Sequence, residues 1–426
     1  MIRRLAGSGR ELDDFLAMVS DDLEELTHQV AGIGEDVRRR GDQAVLEYTR
    51  RFDSPDLTED QLLVQSWEVE EAYNQVDEDY LEALNIAIDN IEDFHFKQLR
   101  PSWMEPDADG NILGQIHRPL RRVGIYVPGG TAAYPSSVLM NAIPAMVAGV
   151  QEIAMVTPPD ASGRLNPYTL VAAAELGLDE IYKVGGAQAV FALAYGTGLI
   201  EKVDKITGPG NIYVTLAKRL VYGEVDIDML AGPSEILIVA DETANPAYLA
   251  ADLMSQAEHD VRARSILVTN SSQLLDQVEE EIKRQMVSLS RSSTIREALV
   301  QNGAFILVST LEEAFAIANL VAPEHLEVMV KEPMNWLGAI KNAGAIFLGP
   351  YSPEPVGDYL AGPNHILPTG GTARFYSPVT VDTFIKKSSL IYYSQAGFNR
   401  YQSEIIKLAE VEGLTAHANS IRVRRR

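Results

Sequence analysis

Residues 255–260 (SQAEHD) place an amide and an imidazole where both could bind one ligand. Gln256 and His259 are three residues apart at the end of an apolar segment, so a helix would put both side chains on one face. Imidazole nitrogens and side-chain oxygens both coordinate metal ions. A histidine at the end of a helix can instead hydrogen-bond the last carbonyls of that helix, so this fragment alone supports both interpretations.

Residues 322–327 (APEHLE) put a carboxyl group beside an imidazole, just before a β-rich run. Glu324 and His325 are both of the types that transfer protons in general acid–base catalysis. Adjacent residues on an extended chain face opposite ways, so the two need not act on the same atom. Taken alone, such a pair is more often an ordinary surface feature than a catalytic one.

Residues 357–371 (GDYLAGPNHILPTGG) carry Asp358 and His365 in a stretch rich in glycine and proline. That composition predicts a long structured loop. Because long loops inside compact domains usually serve function, this segment is a candidate part of a site.

Residues 412–419 (EGLTAHAN) add Glu412 and His417 close to the end of the chain, where a bound metal could order a segment that would otherwise fray. Four of the seven histidines belong to these four segments, and the chain has no cysteine. Any metal must therefore be held by imidazole, carboxylate or amide groups, and thiolate chemistry is excluded.

Three glycine-rich junctions stand where a strand would end or a helix would begin, at residues 127–130 (VPGG), 184–188 (VGGAQ) and 207–211 (TGPGN). Exposed amides at a helix start attract anions such as a dinucleotide pyrophosphate. Taken alone, each junction is more often a simple tight turn than a ligand site, and none matches the G-x-G-x-x-G fingerprint. Three of them on consecutive elements favour a ligand site, because ligands collect at the carboxyl ends of parallel strands.

The elements that would position these groups follow an α/β pattern. Apolar residues at three- and four-residue spacing predict helices over residues 21–40, 42–52 and 66–99. From residue 121, short β-rich runs alternate with apolar helical segments, and the alternation resumes after residue 232, which is typical of parallel sheets with crossover helices. We therefore expect two α/β units, followed by a helical segment over residues 388–412.

Charge and hydropathy exclude several classes of partner. A net charge of -24 would repel nucleic acid. The N-terminus lacks the apolar run of a signal peptide, and the most apolar stretch, residues 138–150, falls short of the roughly 20 residues that span a bilayer. We expect a cytoplasmic protein that binds neither nucleic acid nor membrane, with the arginines at the C-terminus as a solvated end.

Taken together with residues 126–130 (YVPGG) and 231–235 (AGPSE), these motifs resemble the histidinol dehydrogenase family from about residue 121 to residue 419. At least six motifs stand in the family's order with compatible spacing, and the likeness before residue 121 is looser. The resemblance implies NAD-dependent four-electron oxidation of L-histidinol to L-histidine through a bound aldehyde, in the final steps of histidine biosynthesis. It also implies one zinc ion per subunit and a homodimer whose sites are completed by the neighbour's C-terminal arm.

The resemblance also implies a role for each candidate residue, and we find no departure from the family's motifs at these positions. It assigns zinc to Gln256, His259, Asp358 and His417. Glu324 and His325 fall on its proton-transfer pair, with His325 as the base for the hydroxyl proton and Glu324 as the base that activates water. The substrate contacts it implies are Ser234, Gln256, His259, His325, Asp358, His365, Glu412 and His417, and the NAD contacts are Tyr126, Gln188 and Asn211.

The fold that the resemblance implies is α/β, with two incomplete Rossmann-like parallel-sheet domains, a helical N-terminal arm and an extended C-terminal arm. We expect the N-terminal arm to span residues 1–30 and the NAD-binding domain residues 116–234. The first α/β domain would be discontinuous, from residues 31–115 and 235–375, and residues 376–426 would form the arm that reaches the partner subunit.

Three alternatives come from different functional classes. A related zinc-dependent dehydrogenase could act on another polar alcohol, although the intact segments around Glu324 and Asp358 argue against it. A zinc hydrolase could use Glu324 as base, but H-E-x-x-H is absent and a deaminase site would need cysteine. A non-catalytic binding protein would not need an acid–base pair beside a metal.

Overall fold

A computed structural model describes residues 2–17, 23–129 and 133–425. Gly130 of the first predicted glycine junction, and the first two residues of the helix predicted over 21–40, lie outside these ranges. The chain divides into two compact units. The first comprises Met1–Gln98 and Arg121–Phe384, and the second comprises Leu99–Leu120 and Ile385–Arg426.

Strands and helices alternate through most of the first unit. The elements of both units are numbered together in chain order, and β2, β3, β14, α15 and α16 belong to the second unit. The strands are β1 Arg3–Ala6, β2 Trp103–Pro106, β3 Ile112–Pro119, β4 Arg122–Tyr126, β5 Glu152–Val156, β6 Glu180–Tyr182, β7 Lys205–Thr207, β8 Asp226–Ile227, β9 Glu235–Ala240, β10 Arg264–Thr269, β11 Ala304–Leu307, β12 His325–Met329, β13 Ala345–Leu348 and β14 Ile385–Tyr392.

The α-helices are α1 Arg10–Leu16, α2 Glu24–Arg40, α3 Asp42–Phe52, α4 Ser66–Tyr73, α5 Glu78–Phe96, α6 Pro135–Ala148, α7 Pro167–Glu175, α8 Gly186–Tyr195, α9 Ile212–Val221, α10 Pro246–Ala257, α11 Ser272–Met286, α12 Ser292–Gln301, α13 Leu311–Val321, α14 Glu354–Tyr359, α15 Gln395–Val411 and α16 Thr415–Arg422. Within the described ranges, we find no helix with the length and apolar character that a bilayer crossing requires.

A six-stranded parallel sheet, in the order β1-β11-β10-β9-β12-β13, forms one α/β layer of the first unit. Its central strand β9 is buried along its whole length. Ile236 and Ile238 pack on one face with residues of α10 and α11, whereas Leu237 and Val239 pack on the other face with residues of α13. Because helices cover both faces, β9 is an almost continuous apolar run rather than an alternating one.

A second parallel sheet, in the order β6-β5-β4-β7-β8, lies in the same unit. The chain moves outward from β4 through β5 to β6, and then returns to place β7 on the other side of β4. The direction of winding therefore reverses between β4 and β7, which is where open α/β sheets commonly bind ligands. Apolar residues of α2, α3, α8 and α9 share one core with this sheet.

The second unit is an antiparallel sheet, in the order β14-β3-β2, followed by α15 and α16. The Asn111 side-chain oxygen accepts a hydrogen bond from the backbone N–H of Ser394, 3.0 Å away, and Arg400 forms an ion pair of 2.7 Å with Asp109. These contacts join the start of α15 to the loop between β2 and β3.

The α/β architecture expected from the sequence is confirmed, and two local predictions need correction. The helix predicted over residues 66–99 is divided into α4 and α5, because the Asp77 carboxylate accepts the N–H of Tyr80 and begins a new helix. The helical segment predicted over residues 388–412 is wrong at its start, since residues up to Tyr392 form β14. That strand is stabilised by pairing with β3, a contact distant in sequence that local periodicity does not reveal.

Candidate active site

The candidate catalytic groups gather at the edge of the six-stranded sheet where its strands begin. His325 is the first residue of β12, and it pairs in register with Ile236 near the start of β9. The crossover helix α10 connects β9 to β10, so it returns to this same edge and ends there at Ala257. The candidate site therefore lies at the amino-terminal ends of the strands of the six-stranded sheet. The glycine junctions lie at the carboxyl-terminal ends of strands in the five-stranded sheet.

Glu324 and His325 both bind the backbone of Glu235. The Nδ1 of His325 lies 2.9 Å from the Glu235 carbonyl oxygen, and the Glu324 carboxylate accepts the Glu235 N–H at 2.8 Å. The expectation that the two side chains would face opposite ways does not hold, because Glu324 precedes the strand and follows Ala322, which has a left-handed φ of 50°. Consequently the two side chains approach to 3.6 Å, between Nδ1 and the Glu324 carboxylate.

His325 is arranged as a neutral base. A carbonyl oxygen can only accept a hydrogen bond, so Nδ1 carries the ring proton and Nε2 carries the lone pair. Nε2 is buried and has no hydrogen-bond partner among the described residues. Burial, with smaller contributions from the neighbouring His259 and His365, lowers the pKa of His325 to about 4. At neutral pH the ring is therefore uncharged and can accept a proton at Nε2.

Glu324 has the opposite shift. Burial raises its pKa well above the usual value, and the nearby Glu235 and Asp358 carboxyl groups contribute in the same direction, while the hydrogen bond from the Glu235 N–H opposes it. A carboxyl group with a raised pKa is a stronger base in its ionised form than an ordinary surface glutamate. Glu324 and His325 are therefore two neighbouring proton carriers, a carboxyl group with a raised pKa and an imidazole with a lowered pKa.

The proposed metal ligands of the first unit lie around this pair. Gln256 is 1% exposed, and its Oε1 is buried without a hydrogen-bond partner among the described residues. His259 follows α10 and is exposed, and Asp358 belongs to α14. Three possible ligand atoms lie within 4.8 Å of one another: a ring nitrogen of His325, a carboxylate oxygen of Glu354 and a carboxylate oxygen of Asp358.

These groups fit a divalent cation. Burial raises the pKa of Asp358 to about 6 and that of Glu354 to about 8, the second with a further contribution from the Asp358 charge. Buried carboxyl groups without a cation are costly when ionised, and an orphaned amide oxygen beside them is a ready ligand. Oxygen and imidazole donors in this combination suit zinc and similar divalent ions.

The predicted functional loop folds back on α14. The Nδ1 of His365 lies 3.2 Å from the Asp358 backbone oxygen and 3.9 Å from its carboxylate, and burial lowers the pKa of His365 to about 4. The neighbouring Asn364 donates to the Met140 carbonyl oxygen at 2.6 Å. These contacts give the loop a fixed conformation next to Asp358.

The remaining substrate contacts expected from the sequence are dispersed. Ser234 immediately precedes β9, and its carbonyl oxygen accepts the N–H of Arg264 at 2.9 Å. Glu412 and His417 belong to the second unit, where Glu412 follows α15 and His417 lies in α16, both exposed. The structure brings Glu324, His325, Asp358 and His365 together, and the contribution of the second unit stays a prediction.

The glycine junctions shape the carboxyl edge of the five-stranded sheet. Tyr126 ends β4, and its hydroxyl accepts the N–H of Gly186 at 3.0 Å. Burial raises the pKa of Tyr126 to about 12. Gln188 is 1% exposed, and its Nε2 is buried without a partner among the described residues. Gly208 has a φ of 114°, and a Cβ there would lie 2.1 Å from the Tyr126 carbonyl oxygen, so only glycine fits.

Two further features of that edge bear on a nucleotide. The Asn211 side chain caps α9 by accepting the N–H groups of Tyr213 and Val214. A cavity of about 520 Å³ opens beside the ends of β4 and β5, with Gly129, Thr157 and Arg164 in its wall. It lies on the β5 side of β4, at the carboxyl edge of the parallel sheet, where open α/β sheets bind their ligands.

Sequence reasoning missed Glu354 and the buried carboxyl groups behind it. Glu354 is 2% exposed, and the carboxyl groups of Asp252 and Glu327 are also buried. The only available signal was the spacing of four residues from Glu354 to Asp358, which places both on one face of a helix. Their burial depends on tertiary packing.

Comparison with known proteins gives consistent matches. The family model described as histidinol dehydrogenase matches residues 17–425. The chain is 60% identical over 424 residues to a histidinol dehydrogenase of Heliobacterium mobile, covering 100% of this chain and 99% of that one. It is 56% identical over 400 residues to that of Clostridium acetobutylicum, covering 94% and 92%. The crystal structure of the Elizabethkingia anophelis enzyme superimposes with a TM-score of 0.93 at 40% identity, covering 99% and 98%.

Proposed function

The chain belongs to the histidinol dehydrogenase family, and we propose that it oxidises L-histidinol to L-histidine in two NAD-dependent steps through a bound aldehyde. The observation that carries this proposal is the neutral His325, whose buried Nε2 has no hydrogen-bond partner among the described residues and which lies beside Glu324. An alcohol oxidation needs such a base for its hydroxyl proton.

Gln256, His259 and Asp358 are the proposed zinc ligands of one subunit, with His417 from the C-terminal arm of a second subunit. The orphaned Oε1 of Gln256 and the buried carboxyl group of Asp358 support this assignment. When bound, zinc would orient the amino alcohol, and NAD would accept the hydride of each oxidation. Every other role falls to the side chains of the protein.

In the first oxidation, His325 accepts the hydroxyl proton at Nε2 while the carbinol carbon loses a hydride. The Nδ1–H of the ring stays hydrogen-bonded to the Glu235 carbonyl, which stabilises the positive charge that forms on the imidazole. The product is an aldehyde, which the partly buried loop around His365 helps to retain.

In the second oxidation, Glu324 takes a proton from the water that adds to the aldehyde, giving a gem-diol. His325, having released its first proton to solvent, then accepts one of the diol hydroxyl protons at Nε2, and a second hydride leaves the same carbon. One alcohol and one water thus become one carboxylate, with two hydrides transferred. The Glu324 carboxylate lies 3.6 Å from Nδ1 of His325, so the two side chains are neighbours, as joint action on one substrate carbon requires.

The remaining assignments complete the proposal. Tyr126, Gln188 and Asn211 would contact NAD at the carboxyl edge of the five-stranded sheet. Ser234, His365 and Glu412 would contact the substrate. Shared sites require a homodimer, which is supported by exposed apolar side chains in the second unit, with Ile391 71%, Leu408 67% and Val411 72% exposed. The cytoplasmic location and the domain boundaries stay predictions.

The test of this function is the stoichiometry of turnover. Purified protein supplied with zinc, NAD and limiting L-histidinol should yield two NADH for each histidine formed, measured by absorbance and by amino-acid analysis. Other polar alcohols, sulfonated or polyhydroxylated, serve as control substrates. A ratio of one NADH per histidinol, or turnover with a control alcohol only, would contradict the proposal.

A further inference from the structure

Glu354 begins α14 and is tied at its backbone to the strand that carries His325. Its N–H donates to the Glu327 carboxylate at 3.0 Å, and Glu327 stands two residues after His325 on β12. Glu354 is 2% exposed, so its own carboxyl group lies in the interior. The start of α14 is therefore fixed relative to the catalytic edge of the sheet.

The Glu354 carboxyl group faces the proposed metal ligands. One of its carboxylate oxygens and one carboxylate oxygen of Asp358, four residues later, lie within 4.8 Å of each other. One of its oxygens also lies 3.4 Å from the hydroxyl of Ser255, the residue before Gln256 on α10. One side chain thus contacts both helices from which the proposed ligands come.

We propose that Glu354 is a positioning residue that orients the Asp358 carboxylate toward the metal and holds it in register with Gln256. This inference rests on the zinc ligands of the proposed function. Carboxylates that bind metals are themselves hydrogen-bonded, and losing such an outer partner typically weakens metal binding by about 10–100-fold. In this role Glu354 is the outer partner of Asp358. Its contact with Ser255 also links Asp358 to α10, the helix that carries Gln256.

A rival role for Glu354 is direct ligation together with His325 and Asp358, since their donor atoms lie within 4.8 Å of one another. In that arrangement the lone pair of His325 would be used by the metal and would be lost to proton transfer. The two roles differ in what an amide at position 354 would do. An amide at this position can donate a hydrogen bond to the Asp358 carboxylate and accept one from the Ser255 hydroxyl, but it is a weaker ligand than a carboxylate.

The experiment compares Glu354→Gln, Glu354→Met and Ser255→Ala. Zinc affinity is measured by competition with a chromophoric chelator, and ligand geometry by the visible absorption bands of the cobalt-substituted protein. We expect Glu354→Gln to keep zinc affinity within about threefold and the cobalt spectrum unchanged. Glu354→Met should weaken zinc binding by about 10–100-fold. Ser255→Ala should weaken it in the same direction, by about threefold to tenfold.

Asp241→Ala is the matched control for losing a buried carboxylate. Asp241 follows β9 at the opposite edge of the same sheet, is 8% exposed, and accepts the N–H groups of Thr243 and Lys331. This variant should lower the unfolding temperature of the metal-free protein and leave zinc affinity unchanged. The comparison separates loss of stability from loss of ligand positioning.

Three results would overturn the inference. The first is a folded Glu354→Met variant with wild-type zinc affinity. The second is a Glu354→Gln variant that binds zinc as weakly as Glu354→Met, which would show direct ligation. The third result applies if Glu354→Met does not fold: it is a Ser255→Ala variant whose zinc affinity equals that of the wild type. A wild-type protein that binds no zinc would overturn the proposed ligands as well, whereas zinc binding that is insensitive to these changes would overturn the role of Glu354 alone.

Discussion

The imidazole of His325 directs Nδ1 at the backbone carbonyl oxygen of Glu235, 2.9 Å away, and so leaves Nε2 as the atom that can take a proton. The same residue, Glu235, donates its N–H to Glu324. One peptide segment at the start of β9 therefore fixes both members of the proposed proton-transfer pair, and it fixes the tautomer of the histidine as well.

Replacing His325 should remove catalysis without removing the metal. His325→Gln should lower kcat by about 10²–10⁴-fold, because no other neutral base replaces Nε2, while the zinc content stays near that of the wild type. The measurement is steady-state kinetics with zinc analysis of the same sample. His95→Gln is the control, since His95 is also fully buried and its Nδ1 also lies near a carbonyl oxygen, 2.7 Å from that of Ile91. It should lower stability and leave kcat unchanged, and equal losses of kcat in both variants would contradict the assignment.

Glu324 should matter more for the second oxidation than for the first. Glu324→Gln keeps an acceptor for the Glu235 N–H but cannot take a proton from water, so hydration of the aldehyde should slow by about 10²-fold or more. Rapid mixing with L-histidinol should then show one fast NADH per site followed by a slow phase. Equal slowing of both phases would reject the division of labour between Glu324 and His325.

The glycine at position 208 should be required for NAD binding. Gly208→Ala would place Cβ 2.1 Å from the Tyr126 carbonyl oxygen, so the loop must move, and the KM for NAD should rise about tenfold or more. Gly223→Ala separates backbone strain from crowding, because its φ is also positive, 101°, but nothing lies within 4 Å of the added atom. It should cost about 1 kcal/mol of stability and leave the KM for NAD unchanged. An unaltered KM in Gly208→Ala would show that NAD does not use this edge.

A partly buried carboxyl group near Tyr126, that of Asp53, gives a pH-dependent prediction. Burial raises the pKa of Asp53 to about 6, so the folded state prefers the protonated form. The resulting stabilisation is complete below the pKa of the unfolded chain, near 4, and is lost as the pH rises through about 6. After allowance for its partial solvent exposure, Asp53→Asn should be more stable than the wild type by about 1 kcal/mol at pH 7.5, with no difference at pH 4. Denaturant unfolding at both pH values measures this, and a difference that grows toward acid would contradict it.

Local sequence signals predicted the regular elements better than the contacts between them. The helix predicted over residues 42–52 is α3 with the same ends, since its apolar spacing is set within the segment. The strand β14 was missed because its partner β3 is more than 260 positions away in the sequence. Pairing at that distance leaves no local periodicity to detect.

The candidate site shows the same division. Residues 255–260 were correctly predicted to close an apolar helix, but α10 ends at Ala257, so the prediction that His259 shares a helix face with Gln256 is wrong. Glu354 was missed because its importance depends on burial against Ser255 and Glu327, which only the folded chain displays. The family resemblance supplied the roles of residues that no local rule could connect, such as His417, which it assigns to the site of a second subunit.

The most direct test of the account is the metal content of His259→Asn, because the account depends on separate segments holding one cation. Each wild-type chain should bind one zinc ion. The variant should lose most of that zinc and its activity while its far-ultraviolet circular dichroism stays that of a folded protein. A folded His259→Asn variant that retained the full zinc content would contradict the ligand assignment on which the proposed mechanism rests.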